Sequence, residues 1–248
     1  MPKFVLASLL VTSAAWAGPP FETDDPEPVE PGHVELYLSA TARRAGASWQ
    51  GSLPLLEGNL GAAPDLQLHV VAPLAFARDN GGPMLWGMGD VELGAKVRLV
   101  HESKWVPQIG VFPMLELPTG SAARGLGRGT PEAFLPLWLQ KSFGDWTTYG
   151  GVGVRVSAEA QSWFLGWEVQ RRFLDRLVVG AEIVHETGEE SDTRFNVGLV
   201  VDLGEHHHLL FSAGRSIGTA TTFQAYLGWL VTLGPGEEDE KEAPPKPE

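Results

Sequence analysis

Apolar and polar residues alternate with a period of two along most of this chain. Between positions 90 and 99, Val91, Leu93, Ala95, Val97 and Leu99 fall on one face, and Asp90, Glu92, Lys96 and Arg98 on the other. A helix would scatter those charges around its circumference, whereas a strand separates them. The same pattern sets Phe195, Val197, Leu199, Val201 and Leu203 against Arg194, Asn196 and Asp202. It recurs in 66–76, where Leu66, Leu68, Val70, Ala72, Leu74 and Phe76 alternate with Gln67 and His69, and in 223–233, where Phe223, Ala225, Leu227, Trp229, Val231 and Leu233 alternate with Gln224, Tyr226 and Thr232. The alternation predicts strands over 33–42, 50–60, 65–76, 89–100, 106–117, 132–142, 146–156, 162–173, 177–186, 194–203, 207–215 and 222–233. They average about eleven residues, the length a tilted strand needs to cross a bilayer; globular strands average about five or six.

The connections add a second pattern. Those after even-numbered strands are tight: 61–64, 101–105, 143–145, 174–176 and 204–206. Those after odd-numbered strands are mostly longer: 43–49, 77–88, 118–131, 157–161, 187–193 and 216–221. Short turns on one rim and longer loops on the other mark transmembrane barrels, and an even strand count leaves both chain ends on the short-turn rim. Alternation alone does not say which face points inward. Size does, because a soluble barrel of about twelve strands would enclose a space too wide for its own side chains to fill. The expected fold is therefore all-β: a transmembrane antiparallel β-barrel of about 12 strands.

The ends read differently. Lys3, the short apolar run 4–11 and Ala15-Trp16-Ala17 form a secretory signal peptide over 1–17, too short to span a bilayer as a helix. Residues 18–31 form a leader rich in proline and acid, unsuited to a central strand. The barrel occupies 32–234, and 235–248 is an acidic tail whose composition reads as disordered. A mean hydropathy of −0.05 looks soluble, as alternating strands do. There is no cysteine, hence no disulfide framework and no thiolate metal site. The net charge of −13 argues against nucleic acid as a partner. Trp49 and Trp163 beside longer loops, with Trp105 and Trp146 beside tight turns, suggest aromatic girdles at two membrane interfaces.

Candidate chemistry is sparse. His206, His207 and His208 are adjacent, but no further ligands accompany them, and no metal or cofactor is expected. No Gly-x-Ser-x-Gly elbow appears, so an enzyme is not expected. The glycine-rich run 120–129 lacks the Lys-Ser/Thr ending of a phosphate loop and reads as a mobile connection. The polar faces offer a candidate lumen lining: Glu35, Glu57, His69, Asp90, Glu92, Lys96, Arg98, Glu116, Arg155, Glu168, Arg172, Arg194 and Asp202, with Gln170, Glu182 and Asn196 beside them. Both signs are present, which suits either a structural ion network or a selectivity lining. In the leader, Thr23, Asp24 and Asp25 are candidate plug residues, with the two aspartates expected to pair with Lys96, Arg98, Arg155, Arg172 or Arg194.

Several phrases together resemble one family. They are the leader running into His33-Val34-Glu35-Leu36-Tyr37-Leu38, then Gly61-Ala62-Ala63-Pro64-Asp65-Leu66-Gln67-Leu68 and Gly87-Met88-Gly89-Asp90-Val91-Glu92-Leu93-Gly94. Further on come Glu116-Leu117-Pro118-Thr119-Gly120, the stretch 135–142, and His207-His208-Leu209-Leu210-Phe211-Ser212-Ala213-Gly214-Arg215. They resemble the phenol-degradation meta-pathway ("transporter") family of bacterial outer-membrane β-barrels. The resemblance covers nearly all of the chain between signal peptide and acidic tail. It implies an outer-membrane barrel with no catalytic residues to carry over and, by association, an aromatic solute. The expected function is an outer-membrane channel or transporter for a small, aromatic or hydrophobic solute. Two alternatives stand beside it: a non-conducting structural or adhesion barrel of the cell envelope, and a soluble periplasmic ligand-binding barrel. The expected location is the outer membrane of a Gram-negative bacterium. The expected partners are outer-membrane lipid and lipopolysaccharide, the barrel-assembly machinery and a small-molecule solute.

Overall fold

The computed structural model describes residues 19–187, 191–217 and 222–234. The expected signal peptide, Gly18 and the acidic tail lie outside the described residues, as do parts of the connections 187–193 and 216–221. The strand segments are β1 (Val34–Ala45), β2 (Ser48–Ala63), β3 (Leu66–Arg78), β4 (Leu85–Met88), β5 (Val91–Val100), β6 (Gln108–Val111) and β7 (Met114–Leu117), followed by β8 (Glu132–Phe143), β9 (Trp146–Ser157), β10 (Gln161–Phe173), β11 (Leu177–Glu186), β12 (Asp192–Asp202), β13 (His207–Ser216) and β14 (Thr222–Leu233).

All pairings are antiparallel. β14 returns to β1, from Val34 opposite Leu233 to Ala45 opposite Thr222, and closes the sheet. β4 and β5 lie end to end beside β3, and β6 and β7 lie end to end between β5 and β8. The fourteen segments therefore make a closed barrel of twelve strands. A single turn of 3₁₀-helix, Ala122–Arg124, is the one helical element among the described residues.

Each break has a local cause. Between β6 and β7, Pro113 has no N–H to give the ladder, though its carbonyl still accepts from Ala95 at 3.1 Å. Between β4 and β5, Asp90 turns its carboxylate to backbone N–H groups of the loop 118–131.

Side-chain direction resolves what alternation left open. Leu36, Leu38, Leu68, Val70, Leu93, Leu99, Ile183, Phe195, Val197, Leu227 and Trp229 are exposed on the outside of the wall. Gln67, His69, Lys96, Gln140, Glu168, Gln170, Glu182, Arg194 and Asn196 are buried within it. Polar inside and apolar outside is the polarity of a membrane barrel. A soluble barrel would present this band of large apolar side chains to water, so that alternative is set aside.

Rim asymmetry is weaker than the sequence suggests. The expected loop 43–49 shrinks to the turn 46–47, because β1 and β2 pair out to Ala45 and Ser48. On that loop rim, 79–84 and 118–131 carry the extra length, while the opposite, end rim, where β1 starts and β14 finishes, includes the connection 101–107. At the end rim, Asp65 adopts φ 63° in the turn between β2 and β3. There the hydrogen bond from Arg98 Nε at 2.7 Å holds its carboxyl below the usual range, with His101 adding to the effect.

Candidate functional site

The site is the barrel interior, and the leader runs through it. From the end rim it rises along the wall. Gly32 N–H donates to Gly61 O at 2.8 Å, and Val29 N–H to Gln67 Oε1 at 2.9 Å. Glu27 meets Arg98 at 3.5 Å. Asp24 and Asp25 both accept from Lys96 Nζ, at 2.9 and 3.2 Å. The N–H groups of Glu22 and Thr23 donate to the two carboxylate oxygens of Glu182 at 3.0 and 2.9 Å, and Asn196 steadies the same carboxylate. Glu22 then grips Arg194, accepting from Nε at 3.0 Å and Nη2 at 2.8 Å. Pro20 O accepts from Ser212 Oγ. The partners lie on β2, β3, β5, β11, β12 and β13, so the segment crosses from one wall to the other.

Phe21 has a shaped seat. Its ring lies 2.9 Å and 2.7 Å from where a Cβ would stand on Gly180 and Gly198. A side chain at either position would collide with the ring, so the wall is hollowed where the leader anchors.

Below the leader, toward the end rim, is a cavity of about 270 Å³ lined by Asp24, Asp25, Glu35, Tyr37, Glu57, Asn59 and Lys96 among others. Above it, toward the loop rim, are two more. One of about 280 Å³ is lined by Phe21, Glu22, Arg43, Gln224 and Tyr226. The other, of about 270 Å³, is lined by Arg43, Arg128, Glu132, Arg155, Glu186, Asp192 and Arg194. The leader thus lies between vestibules on its two sides.

The thirteen lining candidates all fall on inward positions, grouped into networks. His69 bridges Asn59 at 2.6 Å and Glu92 at 3.2 Å, with Glu57 at 3.7 Å. Glu35 accepts from Tyr37 OH at 2.9 Å. Arg172 meets Asp202 at 2.9 Å, and Asp202 also meets His208 at 2.7 Å, which ties down one member of the histidine run. At the loop rim an ion chain runs from Glu116 through Arg128, Glu132, Arg155 and Glu186 to Arg194, which also meets Asp192 and Glu22. Glu168, 0% exposed, stands in register with Tyr149, itself beside Gln140 and then Gln108, a polar row crossing four strands.

The partners differ in part from expectation. Lys96 takes both leader aspartates, while Arg194 takes Glu22, Arg98 takes Glu27 and Asp65, and Arg155 takes Glu132 and Glu186. Thr23 engages the wall through its backbone N–H. The run 120–129 is anchored, not free. Asp90 accepts from Gly120 N–H at 2.8 Å and Arg128 N–H at 2.6 Å, and Leu126 is buried against Gly87 inside the mouth. The four girdle tryptophans stand at the rims, Trp105 and Trp146 at the end rim and Trp49 and Trp163 at the loop rim.

Sequence reasoning missed the interior aromatics. Phe134, Trp138 and Phe164 pack edge to face with centroids 5.5–6.3 Å apart, and Arg155 lies 4.0 Å over Phe134. The available signal was in β8, where both faces are apolar in the middle. It also missed Phe21 and Ser212, which no spacing rule singles out, and the contact of Gln224 with Glu22, since the alternation placed Gln224 only on the polar face.

No family profile matches the chain, and no curated protein matches it. Among solved structures, an outer membrane channel from Pseudomonas putida superposes with a TM-score of 0.66 at 15% identity, over 84% of this chain and 98% of that one. The KdgM porin bound to disordered oligogalacturonate gives 0.57 at 13%, over 79% and 98%. The translocator domain of autotransporter NalP from Neisseria meningitidis gives 0.51 at 10%, over 80% and 87%. The chain is thus similar in fold to outer-membrane barrels of more than one function, and at these identities the likeness speaks for the fold alone.

Proposed function

We propose that this chain is a passive outer-membrane channel for a small solute in a Gram-negative bacterium, and that its leader is a plug across the lumen. The observation that carries the reading is an interior rich in buried polar and charged side chains, with cavities on both sides of a single docked segment. A barrel serving only as an envelope or adhesion scaffold needs neither the hollowed seat for Phe21 nor cavities on both sides of the leader. The lining residues supply selectivity in the vestibules, and the Lys96 triad with the Glu182 clasp holds the plug. Export by the signal peptide, insertion by the barrel-assembly machinery and contact of the outer rim with lipopolysaccharide follow from this location. No catalytic step is assigned.

Recording in planar bilayers tests the reading. Wild-type protein should give small current steps. Asp24→Asn with Asp25→Asn should enlarge them, because the Lys96 contacts then lose their ionic partners, and more so in high salt, which screens the remaining exposed pairs. Silence from both proteins, with insertion intact, contradicts a channel and favours the scaffold.

A further inference from the structure

The loop-side vestibule contains a carboxylate receptor already filled by the chain itself. Arg194 Nη1 donates to Asp192 at 3.0 Å, and Nη2 reaches Glu186 at 3.2 Å. These wall contacts fix the guanidinium plane, leaving the Nε and Nη2 edge directed at Glu22. That edge is the two-donor face that matches a carboxylate. Gln224 Nε2 adds a third donor to the same carboxylate at 2.6 Å and is itself oriented by Asn196 Oδ1 at 2.9 Å. All three donors belong to the wall, and the carboxylate they hold belongs to the leader. The Arg194 side chain is only 3% exposed, so its edge is shielded from bulk water while Glu22 is seated.

Space for a ligand adjoins the donors. The cavity of about 280 Å³ beside Glu22 is lined by Thr41, Ala225, Tyr226 and Phe21, which offer apolar and aromatic surface. The second loop-side cavity is lined by Arg43, Arg128 and Arg155 together with Glu132, Glu186 and Asp192, to which they are paired, so the donor edge of Arg194 and Gln224 carries the recognition. A small ring or short chain bearing one carboxylate fits this combination of a fixed donor edge and a partly apolar body pocket.

We propose that the loop-side vestibule binds small organic carboxylates, and that Glu22 of the leader is their built-in competitor. This deepens the channel reading and rests on it. A solute carboxylate that takes the Arg194 edge displaces Glu22 and removes one clasp of the plug. An uncharged solute of the same shape gains nothing from that edge and leaves the leader docked. Because Glu22 is tethered, its effective concentration is in the millimolar range or above, so the solute competes only when abundant.

The probe is sodium benzoate, with benzamide as the uncharged control, titrated calorimetrically into the full-length barrel in detergent micelles. Wild type should bind benzoate weakly. Glu22→Gln should bind it at least tenfold more tightly, and Glu22→Asp should fall between, while benzamide should not distinguish the three. Arg194→Lys, which keeps the charge but loses the planar edge, should abolish the gain in the Glu22→Gln background. Equal benzoate affinity in wild type and the Glu22 variants, or equal response to benzoate and benzamide, overturns the proposal. Bilayer recordings separate this from the channel reading. A silent barrel that still shows the Glu22-dependent affinity keeps the site and loses the channel. A conducting barrel without that dependence keeps the channel and loses the site.

Discussion

Lys96 holds two leader carboxylates inside the barrel, and burial makes that arrangement depend on every member. Removing the cation in Lys96→Met leaves Asp24 and Asp25 without their counter-charge, which costs about 3–5 kcal/mol when a buried pair is broken from one side. Guanidinium unfolding of the refolded barrel should show the loss, and an unchanged midpoint would mean that the leader is not docked on Lys96. Leu93 and Glu92 are sequence neighbours on opposite faces of β5, Leu93 45% exposed on the outside and Glu92 bonded to His69 within. Leu93→Arg should destabilise the inserted barrel by about 2–4 kcal/mol if it faces mid-bilayer lipid. Glu92→Gln retains a hydrogen-bonding group and should cost within about 1 kcal/mol. Equal costs would reverse the assignment of inside and outside. Phe21 tests the leader seat without touching a charge. Gly198→Val places a side chain where the ring now lies and should expel it, with a rise in conductance like that expected on loss of the leader.

Strands were the most legible elements. Because a wall with lipid on one side and polar groups on the other enforces period two, alternation located all of them to within a few residues except β4 (Leu85–Met88), which falls inside the expected connection 77–88. It failed where that contrast lapses. In β8 both faces are apolar around Trp138, so the interior aromatic cluster left no alternating trace. At 43–48 the residues are small or charged and read as loop, yet the ladder continues through them to Ala45 and Ser48. The loop 118–131 looked mobile because glycine and small residues dominate it, and its order comes from a distant carboxylate, Asp90. Asp90→Ala should free it, and trypsin should then cut the embedded barrel after Arg124 or Arg128 faster than wild type. An unchanged cleavage rate would show that the loop is held by other contacts. The rim tryptophans should give shallow depths when their fluorescence is quenched by labelled lipids, Trp163 in one leaflet and Trp146 in the other. Deep quenching of either would shift its strand along the membrane normal.

At the scale of the whole molecule, the fold followed from strand length, even count and the size argument. The leader was legible only in outline. Its prolines and acids marked it as a segment that is not a strand, and the inward bases offered partners for it. Which base meets which acid depends on barrel register and on the rise of the chain past Gln67, Lys96 and Glu182, and no local pattern encodes that. The leader is proposed to obstruct the path between the cavities on its two sides. The most direct measurement is single-channel conductance of the barrel lacking 19–30 beside wild type, with both proteins folded and inserted to the same extent. Conductance should be several-fold higher in the deletion, with long openings in place of small steps. Equal conductance in the two proteins would contradict it.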